Sequence, residues 1–290
     1  KKEKVAFDMG RHFHAHYRER GACLVALYPF RPDFYRRMGY GYGTKVDHYR
    51  LLPAALPAGG AKEDVDFLGA AAAEALAACY ARLVDRTNGL MERPVMFWRR
   101  GLDDPRLRVV GVRRGDDLGG YALFRFRLGP EDNFIQNDLH LLELAYDTPR
   151  DLAALLAFLR TQADQVERVL WSTQDADFHV LLDEPRNGSG NLLPGIMAHE
   201  TDAQGLGIMY RVIDVPRLFE VLADHDFGGQ TCRVRLTVAD DFMPDNAGTW
   251  VLAADAGRVT LAAEGEWDVE VGICVAAFSS LVVGAVPFRS

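Results

Sequence analysis

Sliding the first fifty residues forward by 144 positions brings two stretches of the chain into register without a gap, and this internal repeat limits the fold more than any other feature. Val25-Ala26-Leu27 falls on Val169-Leu170-Trp171, and Asp33-Phe34-Tyr35 falls on Asp177-Phe178-His179. The apolar-periodic stretch that begins at Val5 falls on the one that opens at Pro149. A chain built this way holds two copies of one supersecondary unit: a helix, a buried strand and a short helix.

In the first copy Val5, Met9, Phe13 and Tyr17 recur at four-residue spacing and Gly21 supplies a left-handed stop, which predicts a helix over 5–20. The continuous apolar run Ala22 to Tyr28 has the length of a buried strand. Pro32-Asp33 starts a short helix through Met38 that Gly39 closes, and Tyr40 to Tyr49 reads as a further strand. In the second copy Thr148-Pro149-Arg150-Asp151 has the form of a capping box with proline at the first helical position, opening a helix to Gln165. A strand over 166–173 and a short helix over 177–182 follow. The copies diverge after that point, where the first continues Gly39-Tyr40-Gly41 and the second Asp183-Glu184-Pro185. The first therefore reads as the equipped copy and the second as a structural one.

Between the copies, Leu51 to Gly60 contains Pro53, Pro57 and Gly59-Gly60 and reads as a linker. An alanine-rich helix over 65–86 and strands over 107–113, 121–128 and 139–146 come next. A third region begins at Gly205, with strands over 207–213, 232–238, 249–253, 258–262 and 268–274 and helices over 216–225 and 277–283. The whole is an α+β pattern, the third region being a sheet backed by helices. The first copy has nothing that matches the three strands ahead of the capping box, and the chain starts with Lys1 rather than Met. The front half of the first domain is accordingly read as absent.

Charge narrows the partners. The net charge of −8 is uneven: residues 1–50 carry 11 Lys/Arg against 5 Asp/Glu, which leaves −14 for the rest. A basic start favours an anion and an acidic body favours a cation. The basic residues are not interleaved with stacking aromatics, which disfavours nucleic acid. No apolar run approaches the ~18 residues of a membrane helix and the opening lacks a signal-peptide core, so the expectation is a cytoplasmic chain with no membrane insertion. Cys23, Cys79, Cys232 and Cys274 stand far apart, which speaks for free thiols rather than a zinc site or a disulfide framework. His12, His14 and His16 invite a metal reading, but His12 and His16 share a helix face without an evident carboxylate or cysteine partner, and no metal is expected. Asp240-Asp241, Asp224/Asp226 and Asp116-Asp117 read as turn residues and solvated faces.

Lys1-Lys2-Glu3-Lys4 opening a helix, the buried strand, and then Phe34-Tyr35-Arg36-Arg37-Met38-Gly39-Tyr40-Gly41 resemble the second half of a GNAT (GCN5-related) N-acetyltransferase domain, whose "FYxxxGF" segment "FYRRMGYG" is similar to. With the degenerate second copy and a third region that runs Gly207-Ile-Met-Tyr-Arg-Val-Ile-Asp214 and then Phe219, the order resembles the enhanced-intracellular-survival type of acetyltransferase over essentially all 290 residues. The resemblance implies tandem GNAT (acyl-CoA N-acyltransferase) domains followed by a sterol-carrier-protein-like α+β domain. Residues 1–54 would be the C-terminal half of the first, catalytic domain, 55–204 the degenerate second, and 205–290 an incomplete sterol-carrier-like domain.

The same resemblance implies acetyl-CoA as co-substrate, no metal, a homo-oligomer, and an acceptor amine on a cationic small molecule or a lysine. It places Tyr40 as general acid to the CoA thiolate. Lys1, Lys2, Lys4 and Val5 would offer the pyrophosphate a helix N-terminus and positive charge, with Tyr35 and Arg36 as further cofactor contacts. The family's acetyl-CoA loop is rich in arginine and glycine; Lys1-Lys2-Glu3-Lys4 keeps cations without the glycine. The family's C-terminal carboxylate serves as base, a role not assigned to Ser290. The competing expectation is a non-catalytic protein that carries an acyl or other apolar ligand in its sterol-carrier-like domain.

Overall fold

Gly21, at φ 84°, ends the first helix, α1 (Lys2–Arg18), by the route its position suggests. The Gly21 N–H bonds the Arg18 carbonyl at 2.9 Å and the Ala22 N–H reaches back to Tyr17 at 3.0 Å, a Schellman closure that satisfies the last carbonyls. The computed structural model describes residues 2–87, 89–127, 137–189, 192–193, 198–262 and 265–286, with 2, 3, 192 and 193 described by backbone alone. After α1 come β1 (Leu24–Leu27), α2 (Pro32–Arg36), β2 (Gly41–Tyr42) and β3 (Lys45–Leu51). The single strand expected over 40–49 is thus two strands, and they belong to different sheets.

The middle of the chain forms β4 (Val65–Phe67), α3 (Ala73–Arg86), α4 (Val95–Leu102), β5 (Leu107–Arg114), β6 (Asp117–Arg127), β7 (Asn137–Tyr146), α5 (Pro149–Arg160) and β8 (Val166–Thr173). Two short strands, β9 (Leu192–Leu193) and β10 (Ala198–His199), pair with each other before β11 (Asp202–Leu206). The last region holds β12 (Met209–Val212), α6 (Val215–Val221), β13 (Cys232–Ala239), β14 (Gly248–Asp255), β15 (Arg258–Ala262), β16 (Val269–Cys274) and α7 (Val275–Val282).

These elements make two compact units, one of Lys1–Lys45 with Leu206–Ser290 and one of Val46–Gly205. The first unit carries a three-stranded sheet in the order β1-β12-β2 and a four-stranded sheet in the order β15-β14-β13-β16, in which β13 runs parallel to β16. Leu218 and Phe219 of α6 and Val275 and Phe278 of α7 pack on Leu236, Val238 and Leu252 of the larger sheet. The second unit carries a seven-stranded sheet in the order β11-β3-β8-β7-β6-β5-β4, with β7 parallel to β8, besides the β9/β10 pair. Its core joins Leu152, Leu155, Leu156 and Leu159 of α5 to the sheet.

The repeat appears as the same succession twice: α1, β1 and α2 in one unit, α5, β8 and a 3-10 turn at Phe178–Leu181 in the other. In each copy a strand from elsewhere in the chain is wedged beside the repeat's strand. β12 lies against β1 and separates it from β2; β3 lies against β8 and separates it from β11. β3, made after the first copy, thus joins the sheet of the second, and β12, made after the second copy, joins the sheet of the first.

This exchange moves the first division of the chain to Lys45/Val46. The Pro- and Gly-rich stretch read as a linker is instead core: Leu51, Ala55 and Leu56 are buried in the second unit around a 3-10 turn at Pro53–Ala55. The helix expected from residue 65 starts only at Ala73, because Val65–Phe67 pairs with β5 as an edge strand. Composition gave no warning of α4, whose Trp98 is buried against Tyr80 and Tyr121.

The capping box at the start of α5 is present: the Thr148 side chain accepts from the Asp151 N–H, and the Asp151 carboxylate accepts the Thr148 N–H at 3.0 Å. Thr148→Ala is expected to lower stability by about 1 kcal/mol, the usual worth of an N-cap, measured by urea denaturation.

Candidate functional site

The segment "FYRRMGYG" owes its shape to a helix stop. α2 starts at Pro32, whose missing N–H costs nothing there, and ends when Gly39 takes φ 79°. The Gly39 N–H bonds the Arg36 carbonyl at 3.0 Å and the Tyr40 N–H bonds the Tyr35 carbonyl at 3.1 Å. This is the second Schellman closure of the chain, and such a closure brings the side chain after the glycine onto the one five residues earlier. Tyr40 and Tyr35 accordingly meet edge to face, ring centres 5.8 Å apart. The motif spacing itself therefore assembles the two candidate tyrosines.

What lies under the glycines explains why no larger residue stands there. A Cβ on Gly39 would sit 1.7 Å from Arg211 Nη1, and a Cβ on Gly41 would sit 2.1 Å from the Ala276 carbonyl of α7. Arg211, on β12, is fully buried; its Nη1 donates to the Met38 carbonyl and its Nη2 to Asp240 Oδ2, both at 2.6 Å. Asp240 also accepts the N–H groups of Phe242 and Met243 on Oδ1 and the Asn246 amide on Oδ2. The expectation that Asp240 is a solvated turn residue is overturned: its carboxylate is sealed with Arg211, because one buried charge requires the other. The Gly39-Tyr40-Gly41 cluster is thus a packing requirement as well as a chemical signature.

Tyr40 is 3% exposed, and its hydroxyl lies 2.9 Å from Nε2 of His14, a residue of α1 with no exposure at all. Burial pushes the Tyr40 phenol up to about 12 despite the nearby charge of Arg211. Burial, and then the Arg211 charge, hold His14 down at about 4, with Asp240 opposing weakly. His14 is therefore neutral at physiological pH. Its Nδ1 has no hydrogen-bond partner among the described residues. In the sequence His14 stood out only as the middle member of a histidine triplet, and Arg211 gave no signal.

The remaining predicted site residues are placed as follows. Tyr35 and Arg36 are half-buried; Arg36 donates to the Tyr40 carbonyl and covers the Tyr42 ring. Lys4 and Val5 are exposed in the first turns of α1, Val5 at the mouth of an open groove of about 550 Å³ along Met9 and Phe13. Lys1 lies outside the described residues, and Lys2 is described by its backbone only. The ring centres of His12 and His16 are 6.1 Å apart, and Arg20 donates to His16. No group of three or more metal-ligating side chains occurs among the described residues, and no helix among them is long and apolar enough to cross a membrane.

The equivalent helix start in the second unit is filled by its own carboxylates. Asp151, buried, takes Thr148 and Arg114, while Asp147 takes Arg82 and Arg86. Asp183 and Glu184 are likewise paired, with Arg160 and Arg186.

Residues 1–43 and residues 89–212 each match a GNAT acetyltransferase domain, and residues 218–290 match a sterol carrier protein domain. The chain is built of GNAT-type domains and a sterol carrier protein domain. An uncharacterized N-acetyltransferase of Streptomyces coelicolor is 30% identical over 271 residues, which is 81% of this chain and 57% of that protein. The chain thus spans little more than half of that relative's length. The fold is shared with a GCN5-related N-acetyltransferase from Anabaena variabilis, at TM-score 0.76 and 18% identity over 96% of this chain and 67% of the other. It is shared also with Eis1 from Mycobacterium abscessus, at TM-score 0.67 and 22% identity over 93% and 66%.

Two measurements follow for this GNAT-type site. A histidine that titrates near 4 in the fold and near 6.5 when unfolded lets the unfolded chain take the proton first. Its contribution is full above pH ~6.5 and is lost as the pH falls toward 4, about 3 kcal/mol in all. Urea denaturation of the wild type at pH 7.5 and 4.5 should show a drop that His14→Gln lacks. Gly39→Ala should cost more than ~2 kcal/mol, since it combines a left-handed backbone with a clash against a guanidinium that Met38 and Asp240 pin in place, read as a fall in Tm.

Proposed function

We propose that this GNAT-type chain is an acetyl-CoA-dependent N-acetyltransferase, with Tyr40 as general acid to the departing thiolate and the acceptor a primary amine on a cationic small molecule or a lysine. The observation that carries the reading is the match of residues 1–43 to a GNAT domain together with the closure that brings Tyr35 and Tyr40 to one place. The reaction joins the amine nitrogen to the thioester carbonyl carbon, expels the CoA sulfur, and returns one proton from the amine to solvent and one from the acid to sulfur. Acetyl-CoA supplies the activated acyl group when bound.

The protein's own residues do the rest. The phenol, held at about 12, stays loaded with its proton at any working pH. Lys2, Lys4 and Val5, with Lys1 ahead of them, offer an anionic cofactor the positive end of α1, a seventeen-residue helix. Tyr35 and Arg36 flank the motif as further cofactor contacts. The net −14 outside the first fifty residues suits a cationic acceptor.

The capping box of Thr148 and Asp151, filling the matching helix start of the second unit, supports a structural role there, since the N–H groups a phosphate would need are already taken. The ligand-carrier alternative needs space between the four-stranded sheet and its helices, where Leu236, Val238, Phe219 and Phe278 pack together.

Thiol release from acetyl-CoA with kanamycin, and with a lysine peptide, tests the activity. Tyr40→Phe should lower the rate by roughly 10²- to 10⁴-fold with little change in acetyl-CoA affinity, and Tyr35→Phe should mainly weaken that affinity. The opposite pattern reverses the two roles. Absence of both acetyl-CoA binding and turnover in the complete protein removes the enzyme reading.

A further inference from the structure

A general acid must give up its proton as well as hold it. A phenol near 12 faces a thiolate whose ordinary pKa is ~8.5, so the transfer runs uphill unless something close by favours the tyrosinate. His14 is the side chain placed to do so. Its Nε2 lies 2.9 Å from the Tyr40 oxygen, His14 is fully buried while Tyr40 keeps a small exposure, and their ring centres stand 5.5 Å apart. Gly10, one turn ahead on α1, keeps that face narrow: a Cβ there would lie 3.2 Å from the Met38 sulfur.

A neutral imidazole has one N–H to place. On Nδ1 it would be buried without an acceptor, whereas on Nε2 it meets the phenol oxygen and leaves only a lone pair unmatched. Orphaned buried N–H groups are rarer and costlier than under-used acceptors. The charged and titratable groups around the pair favour the same state. Arg211 stands on the β12 side, Asp240 on the loop after β13 is neutralised by it, and Tyr35, which opposes the tyrosinate, acts less than Arg211.

We propose that His14 is the positioning residue for Tyr40: it donates its Nε2–H to the phenol oxygen, so that the phenol's own proton is directed away from α1 and toward the leaving sulfur. The inference rests on the acetyltransferase reading above. In the step, the Tyr40 O–H bond breaks and an S–H bond forms on CoA. The oxygen keeps the electron pair as tyrosinate, held by the His14 N–H and the Arg211 charge, until solvent returns a proton. His14 itself neither gains nor loses one.

Nitrogen NMR of the wild-type chain labelled in its histidines reads the tautomer without any variant: the proton is expected on His14 Nε2, and a proton on Nδ1 overturns the proposal. With acetyl-CoA and kanamycin, His14→Phe should lower kcat by roughly 10- to 10²-fold with KM for acetyl-CoA within about 3-fold. His14→Gln, whose amide can present an N–H at the same oxygen, should recover most of that loss. In the Tyr40→Phe background, His14→Phe should cost nothing further, because the group it serves is gone. If Tyr40→Phe is damaging but His14→Phe is harmless, or adds its full effect to Tyr40→Phe, the inference fails and the general-acid reading survives. If Tyr40→Phe turns over like the wild type, the general-acid reading fails and the role of His14 goes with it.

Discussion

The Arg211–Asp240 ion pair is the interaction on which the first unit depends. Both side chains are wholly out of water, and neither charge could stay there without the other and without hydrogen bonds for what remains of each. Satisfying them shapes three pieces of backbone. The Asp240 carboxylate draws in the N–H groups of Phe242 and Met243, the Asn246 amide ties the same loop to the Val212 carbonyl, and Arg211 fixes the Met38 carbonyl. Phe242 is thereby set under α1, in ring contact with Phe7 and His14. Removing either partner would strand a buried charge, at a cost of about 3–5 kcal/mol. The same guanidinium charge acts on Tyr40 and His14, so what holds the turn also tunes the pair beside it.

Much of the fold could be read from local chemistry. Helix ends marked by Gly21, Gly39 and Thr148 fell where the backbone needed a left-handed residue or a side-chain cap, since those requirements act over a few residues. The strands after each Gly/Asp turn in the last region were readable for the same reason. What escaped was non-local. Nothing in "GYGTKVDHYRL" says that Gly41–Tyr42 and Lys45–Leu51 will join different sheets, because each has strand character and the choice is made by partners far along the chain.

The candidate site divides in the same way. Tyr35 and Tyr40 are brought together by five-residue spacing across one glycine, and this could be anticipated from the motif. His14 and Arg211 reach the same place from α1 and from β12, at separations of 26 residues from Tyr40 and 173 residues from Met38. Single-sequence reasoning has no handle on such distances. Asp240 was misread because an Asp-Asp pair ahead of a proline looks like a surface turn. Its neighbour Asp241 is exposed, and only the buried arginine distinguishes the two.

The exchange of β3 and β12 bears on how such a chain can come into being. During synthesis β1 and β2 are both made before the strand that must lie between them, which comes only after the whole of the other unit. The edges of β1 and β2 that face β12 therefore wait open, an arrangement prone to the wrong pairing. The later unit, supplied with β3 at its outset, has all its strands once β11 is made. The unit encoded in the middle can thus close first, and the unit that bears Tyr40 only once β12 has been made.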